Sequence, residues 1–146
     1  MTMTIGEVAA QTGVGCDTLR YYERTGLLPV TPKDTAGRRV YTAAVIGRLR
    51  FIKEAQQAGF RLREIQELLD LRAGKSACCG DVRSLAVAKR RELGQKLRAL
   101  QAIVGALDTV ISTCNDAGQA VSECPILHAL EQGLNEEVDP NFRTLD

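Results

Sequence analysis

Residues 5–24 read IGEVAAQTGVGCDTLRYYER, and this stretch decides the fold. Ile5, Val8 and Ala9, then Val14, Leu19 and Tyr22, recur at helical spacing, but Gly13-Val14-Gly15 interrupts them with residues that no single helix favours. The pattern predicts two short helices joined by a tight turn, a helix-turn-helix. Ala9 is small enough for close helix contact, Gly13 falls where the chain must turn, and Cys16 or Asp17 begins the second helix. That second helix presents Thr18, Arg20 and Tyr21 beside the inward Leu19, and all three side-chain types can reach phosphates or base edges. A plain helical hairpin with a solvated Arg20 also fits this segment.

Downstream, residues 27–41 (LLPVTPKDTAGRRVY) hold two prolines, a glycine and β-branched residues, which disfavours helix and predicts a small two-stranded wing. Its tip and return strand carry Lys33, Arg38 and Arg39, a natural second phosphate contact beside a helix-turn-helix; the alternative is an ordinary basic loop. Thr42 is expected to cap a helix running to about Ala58, with Val45, Ile46, Leu49 and Ile52 inward and Gly59 ending it. A further helix spans about Leu62 to Leu71, burying Ile65, Leu68 and Leu69, and RAGKSACCG (72–80) reads as a linker.

From about Asp81 to Thr113 there is no proline, and Leu93, Leu97, Leu100, Val104, Leu107 and Ile111 are spaced 4, 3, 4, 3, 4, a heptad seam. Such a helix is roughly 50 Å long at about 1.5 Å per residue, longer than the residues after it can cover. Its stripe is expected to pair with a second copy of itself; the alternative is packing across its own N-terminal domain.

The composition agrees with this plan. The chain has 146 residues, 45% hydrophobic and 25% charged, with no apolar run near the twenty or so needed to span a membrane, which suits one domain or two small ones. MTMTIGEVAA lacks the regions of a signal peptide, so the expected compartment is the cytoplasm, with no membrane partner. There, five cysteines are expected as thiols or metal ligands rather than disulfides. The net charge of +1 hides an asymmetry: residues 1–75 carry 12 Lys/Arg against 8 Asp/Glu, and 76–146 carry 7 against 10. The N-terminal half is thus the candidate polyanion-binding half, although scattered surface charge would give the same excess.

Cys79 lies just before the long helix, Cys114 at its far end and Cys124 ten residues later, ahead of PILHAL. In an antiparallel two-chain coiled coil, Cys79 of one protomer arrives beside Cys114 and Cys124 of its partner, giving two symmetric thiolate clusters. Three thiolates suit a soft ion, Hg(II), Pb(II), Cd(II) or Zn(II), and disfavour Mg(II) or Ca(II). Cys78 is a possible fourth ligand, giving a tetrahedral site. The alternative is that these are small buried cysteines. His128, one turn after Cys124, is read as a surface residue before a ligand, and Cys16 as a helix-start residue before a redox sensor. No nucleophile, acid and His pattern, phosphate loop or HExxH motif is present, so no enzyme activity is expected.

Together TIGEVAAQTGV (4–14), DTLRYYERTGLL (17–28), GRRVY (37–41), RLRFIKEAQQAGFRLREIQELL (48–69), the long helix and Cys79, Cys114 and Cys124 resemble the MerR family of bacterial transcription regulators, in its metal-sensing branch. The resemblance covers nearly the whole chain. It implies a mainly α fold: a winged helix-turn-helix head over 1–75, a linker and dimerisation helix over 76–113 forming an antiparallel coiled coil, a metal-binding loop and short helix over 114–133, and a polar tail over 134–146. Thr18, Arg20 and Tyr21 look like recognition-helix contacts, and Arg39 and Tyr41 like the wing's. The resemblance further implies a homodimer on double-stranded promoter DNA that represses without metal. With metal it activates by bending and untwisting the promoter spacer for RNA polymerase, so that one protein controls metal resistance or export genes.

Copper and silver sensors of the family lack a thiol at the position of Cys79, so the resemblance points to the divalent branch. Zinc sensors there carry a second cysteine and a loop histidine, where this chain has Asn115 and Gln119. Cys124-Pro125 resembles mercury sensors and slightly favours Hg(II). The rivals are a redox- or organic-ligand-responsive regulator of the same fold and a cytosolic metal-buffering protein.

Overall fold

The structure is a computed structural model in which residues 2–134 are described; the expected polar tail lies outside them from residue 135 onward. The chain divides into two units, Met1–Ala86 and Val87–Asp146, and the division falls inside the long helix, downstream of the linker at 72–80.

The first unit runs β1 (Met3–Thr4), α1 (Ile5–Thr12), α2 (Cys16–Arg24), β2 (Val40–Tyr41), α3 (Ala43–Gln57), α4 (Leu62–Ala73) and the first turns of α5 (Cys79–Thr113). A capping box starts α1: the Glu7 N–H donates to the Thr4 hydroxyl, and the Thr4 N–H donates to the Glu7 carboxylate at 2.7 Å. Gly13 ends it in the left-handed region, φ 70°, which costs a residue with a Cβ about 1–2 kcal/mol. The Gly13 N–H returns to the Ala9 carbonyl, and the chain turns through Val14 to Gly15, which caps α2. The Gly13-Val14-Gly15 interruption is therefore the turn between two helices.

Val8, Leu19, Leu28, Tyr41, Leu49, Ile52 and Ile65 are the fully buried side chains of the core. Each such aliphatic group stabilises by roughly 1.5–3 kcal/mol. Two cations of α3 lock the turns beside this core. Lys53 Nζ donates to the Thr12 carbonyl at 3.0 Å, and Arg48 Nε donates to the Leu27 carbonyl at 2.7 Å. Thr42 sits at the N-cap of α3 without a side-chain cap bond, and Gly59, φ 93°, follows its C-terminus.

The wing differs in detail from a simple hairpin. Within residues 27–41 the two arms meet through one isolated bridge, Lys33 with Arg39, and through Val40 N–H donating to the Pro32 carbonyl at 3.0 Å. Pro29 and Pro32 have no N–H to give, which limits the outgoing arm as a strand partner. The return strand β2 pairs instead with β1, antiparallel, Met3 with Tyr41 and Thr4 with Val40. At the tip, Asp34 accepts the N–H groups of Ala36 and Arg38 at 2.9 and 2.8 Å and Arg38 Nε at 3.0 Å.

The second unit holds α5 from Val87 onward, a 3-10 turn (Val121–Glu123) and α6 (Pro125–Gln132). α5 has 35 residues, so the proline-free stretch is one continuous helix. Along its seam Leu93, Leu97, Leu100, Val104 and Ile111 are 40–57% exposed in the single chain, and Leu107 is half-buried. Leaving so many large aliphatic groups in water is unfavourable, and a heptad stripe of this kind is the surface a partner helix covers. Beside it, the Glu92 carboxylate accepts Lys89 Nζ at 2.8 Å and pairs with Lys96 Nζ at 2.9 Å. No described helix is long and apolar enough to cross a membrane.

Candidate nucleic-acid interface and cysteine set

Helix α2 turns Leu19 and Tyr22 into the core and leaves Thr18, Arg20 and Tyr21 on its outer face. Tyr21 is 45% exposed, its ring 6.2 Å from that of Tyr22. Arg20 makes only a 3.4 Å surface pair with the fully exposed Asp17, an interaction too weak to hold it from another partner. These three residues are thus presented together.

On the wing, Arg38 and Arg39 are exposed, and Arg39 Nε lies 3.1 Å from Glu23 Oε2. Tyr41 is placed otherwise than a direct contact requires. Its side chain is fully buried, and its hydroxyl donates to Glu23 Oε1 at 2.7 Å. Burial, with the neighbouring Glu23 carboxylate adding to it, pushes the Tyr41 phenol up to about 12. Thr31 donates its hydroxyl to the same Glu23 oxygen at 3.0 Å. Glu23, not singled out from the sequence, therefore joins α2 to the wing. The signal that could have found it is positional: it falls four residues after Leu19 and one after Tyr22, on the inward side of a short helix, where a carboxylate needs donors.

All five cysteines are free thiols. Cys79 is the first residue of α5 and exposed; Cys114 follows its last residue and is exposed; Cys124 is half-buried at the N-cap of α6, with Pro125 at the first helical position. Exposed Cys78 donates its N–H to Asp81 Oδ2 at 2.8 Å, and half-buried Cys16 opens α2. His128 is exposed, its N–H donating to the Cys124 carbonyl at 3.2 Å. Among the described residues of one chain, no three His, Cys, Asp or Glu side chains form a group that could hold a metal.

A helix-turn-helix whose second helix shows a polar face beside a basic wing defines a winged helix-turn-helix DNA-binding protein. Comparison with known proteins is more specific. The profile described as "MerR HTH family regulatory protein" matches residues 3–71, and "MerR, DNA binding" matches residues 46–110. The chain is 35% identical over 130 residues to the mercuric resistance operon regulatory protein of Bacillus cereus, covering 89% of this chain and 98% of that one. It is 33% identical over 132 residues to the HTH-type transcriptional regulator ZntR of Escherichia coli strain K12, covering 90% and 94%. Among solved structures it resembles the transcription regulator PbrR691 from Ralstonia metallidurans CH34 in complex with lead(II), TM-score 0.76 and 32% identity, covering 88% of this chain and 98% of that one. The chain belongs to the MerR family of transcription regulators. It is a DNA-binding regulator and not an enzyme.

Proposed function

We propose that the chain is a metal-responsive regulator that binds promoter DNA as a homodimer, represses without metal, and activates by distorting the DNA when a soft divalent ion is bound. The observation that carries this reading is the placement of free thiols on a helix with an exposed heptad stripe: Cys79 opens α5, Cys114 follows it and Cys124 caps α6. If two α5 stripes pair antiparallel, Cys79 of one protomer comes beside Cys114 and Cys124 of its partner. The relatives whose names mention mercury, and a similar structure whose description mentions lead(II), support the same ligand class.

The donor set fits such an ion. Three exposed or half-exposed thiols would supply soft ligands, and Cys78, next to Cys79 in the chain, would offer a fourth. Bound across the two protomers, a soft ion supplies a cross-link that favours one dimer conformation. Hg(II) is slightly favoured over Pb(II), Cd(II) and Zn(II), because Cys124-Pro125 resembles mercury sensors, while Asn115 and Gln119 offer no thiol or imidazole for a zinc-type loop. Thr18, Arg20 and Tyr21 face the DNA from α2 and Arg39 from the wing, with Tyr41 acting from its buried place through Glu23. Activation then acts through the deformability of the promoter spacer, with the head staying bound in both states, so RNA polymerase is engaged through the DNA.

The test is a chelator-competition titration of the reduced dimer with each ion, following thiolate-to-metal absorption, in wild type and in Cys79→Ser, Cys114→Ser and Cys124→Ser. Each substitution is expected to abolish tight binding while DNA affinity persists. Mixed dimers of a Cys79→Ser chain with a Cys114→Ser chain should keep one intact cluster, because both defects fall in the same one. Binding no tighter than that of free thiols overturns the metal reading, and mixed dimers without any site overturn the intersubunit arrangement.

A further inference from the structure

We propose that Glu23 is a positioning residue for DNA binding: its carboxylate, carried by the recognition helix α2, fixes the direction in which Arg39 of the wing meets a phosphate. This rests on the assignment of Arg39 to the interface made above.

The Glu23 side chain is only 8% exposed. A carboxylate so withdrawn from water is unfavourable unless donors surround it. Its donors are the Thr31 hydroxyl at 3.0 Å and the Tyr41 hydroxyl at 2.7 Å, both on Oε1, and it forms an ion pair with Arg39, whose Nε lies 3.1 Å from Oε2. All three come from residues 31–41, the wing and its return strand, so the carboxylate fastens one DNA-facing element to the other. Tyr41 is itself anchored, fully buried and paired through β2 to Met3 of β1.

The consequence for Arg39 is directional. Its guanidinium places Nε 3.1 Å from Glu23 Oε2 as an ion pair, while the two Nη atoms carry four further N–H donors on a side chain that is 44% exposed. A planar fork pinned along one edge has its other edge aimed, and a bidentate phosphate contact needs that alignment. Glutamine at position 23 would offer one acceptor oxygen and an NH2 group, so either Arg39 or the two hydroxyls would face a donor.

The sign of the effect separates positioning from simple electrostatics. Removing a negative charge near a polyanion strengthens binding if charge alone matters. Positioning predicts weaker binding. The probe is a duplex selected from a random-sequence pool by the wild-type full-length chain, with fluorescence anisotropy measured over a series of salt concentrations. Glu23→Gln is expected to bind about 10-fold more weakly, with the slope of log affinity against log salt reduced by about 1, the signature of one lost phosphate contact. Arg39→Gln should show the same loss of slope, and the double variant should be little worse than Arg39→Gln alone.

Wild-type or tighter binding by Glu23→Gln with an unchanged slope, alongside a weakened Arg39→Gln, overturns the proposal and leaves the interface assignment standing. Wild-type binding by Arg39→Gln overturns the assignment and the proposal with it. If Glu23→Gln does not fold, Arg39→Lys carries the test. Lysine keeps the charge but not the two-edged fork, so a comparable loss is expected, and wild-type affinity and slope for Arg39→Lys overturn the proposal.

Discussion

Lys53 Nζ lies 3.0 Å from the carbonyl oxygen of Thr12, so a cation from α3 closes the C-terminal end of α1 at the turn of the helix-turn-helix. The contact spans 41 residues of sequence and meets the negative end of a helix dipole. It also crowds the turn glycine, since a Cβ at Gly13 would stand 3.2 Å from Lys53 Nζ. Lys53→Met is expected to cost about 1 kcal/mol through the lost bond. Gly13→Ala should cost more, about 1–2 kcal/mol, because its φ of 70° is strained for any residue with a Cβ. Urea unfolding of both variants measures the two losses.

Tyr41 gives the head an alkaline limit. Its phenol is pushed from an ordinary 10.0 up to about 12, first by burial and then by the bond to Glu23. A group raised on folding contributes stability that is present below the unfolded value and lost as pH rises through the folded one. The denaturation midpoint should therefore fall between about pH 10 and 12. In Tyr41→Phe, that part of the pH dependence should disappear, while the variant is less stable at neutral pH. An unchanged alkaline slope in the variant would contradict the assignment.

Glu92 sets an acid limit on α5. The hydrogen bond from Lys89, then that from Lys96, holds its carboxyl at about 2, against an ordinary 4.5. The sign is opposite: the contribution is present above 4.5 and lost as pH falls toward 2. Helical circular dichroism followed between these limits should fall more steeply in wild type than in Glu92→Gln, which is expected to be weaker at neutral pH and flatter in acid.

The heptad stripe predicts the oligomeric state. Leu97 is 57% exposed in the single chain, so covering the rest of it contributes roughly 1–2 kcal/mol, about half to two thirds of full leucine burial, counted twice in a symmetric pair. Leu97→Glu should convert a dimer into a monomer at micromolar concentration with the helical content of the head retained, as read by sedimentation velocity. A monomeric wild type would remove the basis for any cysteine site shared between protomers.

The legible parts of the chain were those fixed by near neighbours. Gly13 and Gly59 mark helix ends through their own backbone needs, and the apolar spacing from Val45 to Ile52 identifies a buried helix face without knowledge of its partner. The stripe from Leu93 to Ile111 is legible for the same reason. What the sequence hid depends on distant partners. The two residues of β1 are too few to carry an alternation, and their pairing with Val40 and Tyr41 arises only once the core has formed. Glu23 reads as one more charge in RYYER until Thr31, Arg39 and Tyr41 are folded onto it. Tyr41 carries a polar handle that suits a phosphate as well as a buried carboxylate, and only packing decides between them. The cysteines were visible as chemistry, since their spacing around a long helix needs no tertiary detail.

The Asp34 turn has a kinetic meaning. Three hydrogen bonds onto one carboxylate within five residues, together with the Asp34 N–H donating to the Arg38 carbonyl at 2.8 Å, shape the wing tip before any partner arrives. Little conformational freedom is left to lose there on association, so the unfavourable entropy of binding should arise mainly outside the tip. On the proposed reading that the wing meets DNA, the approach of Arg38 and Arg39 would be limited by diffusion and ionic strength instead of by loop ordering, which would suit the wing to rapid, repeated sampling of DNA during search.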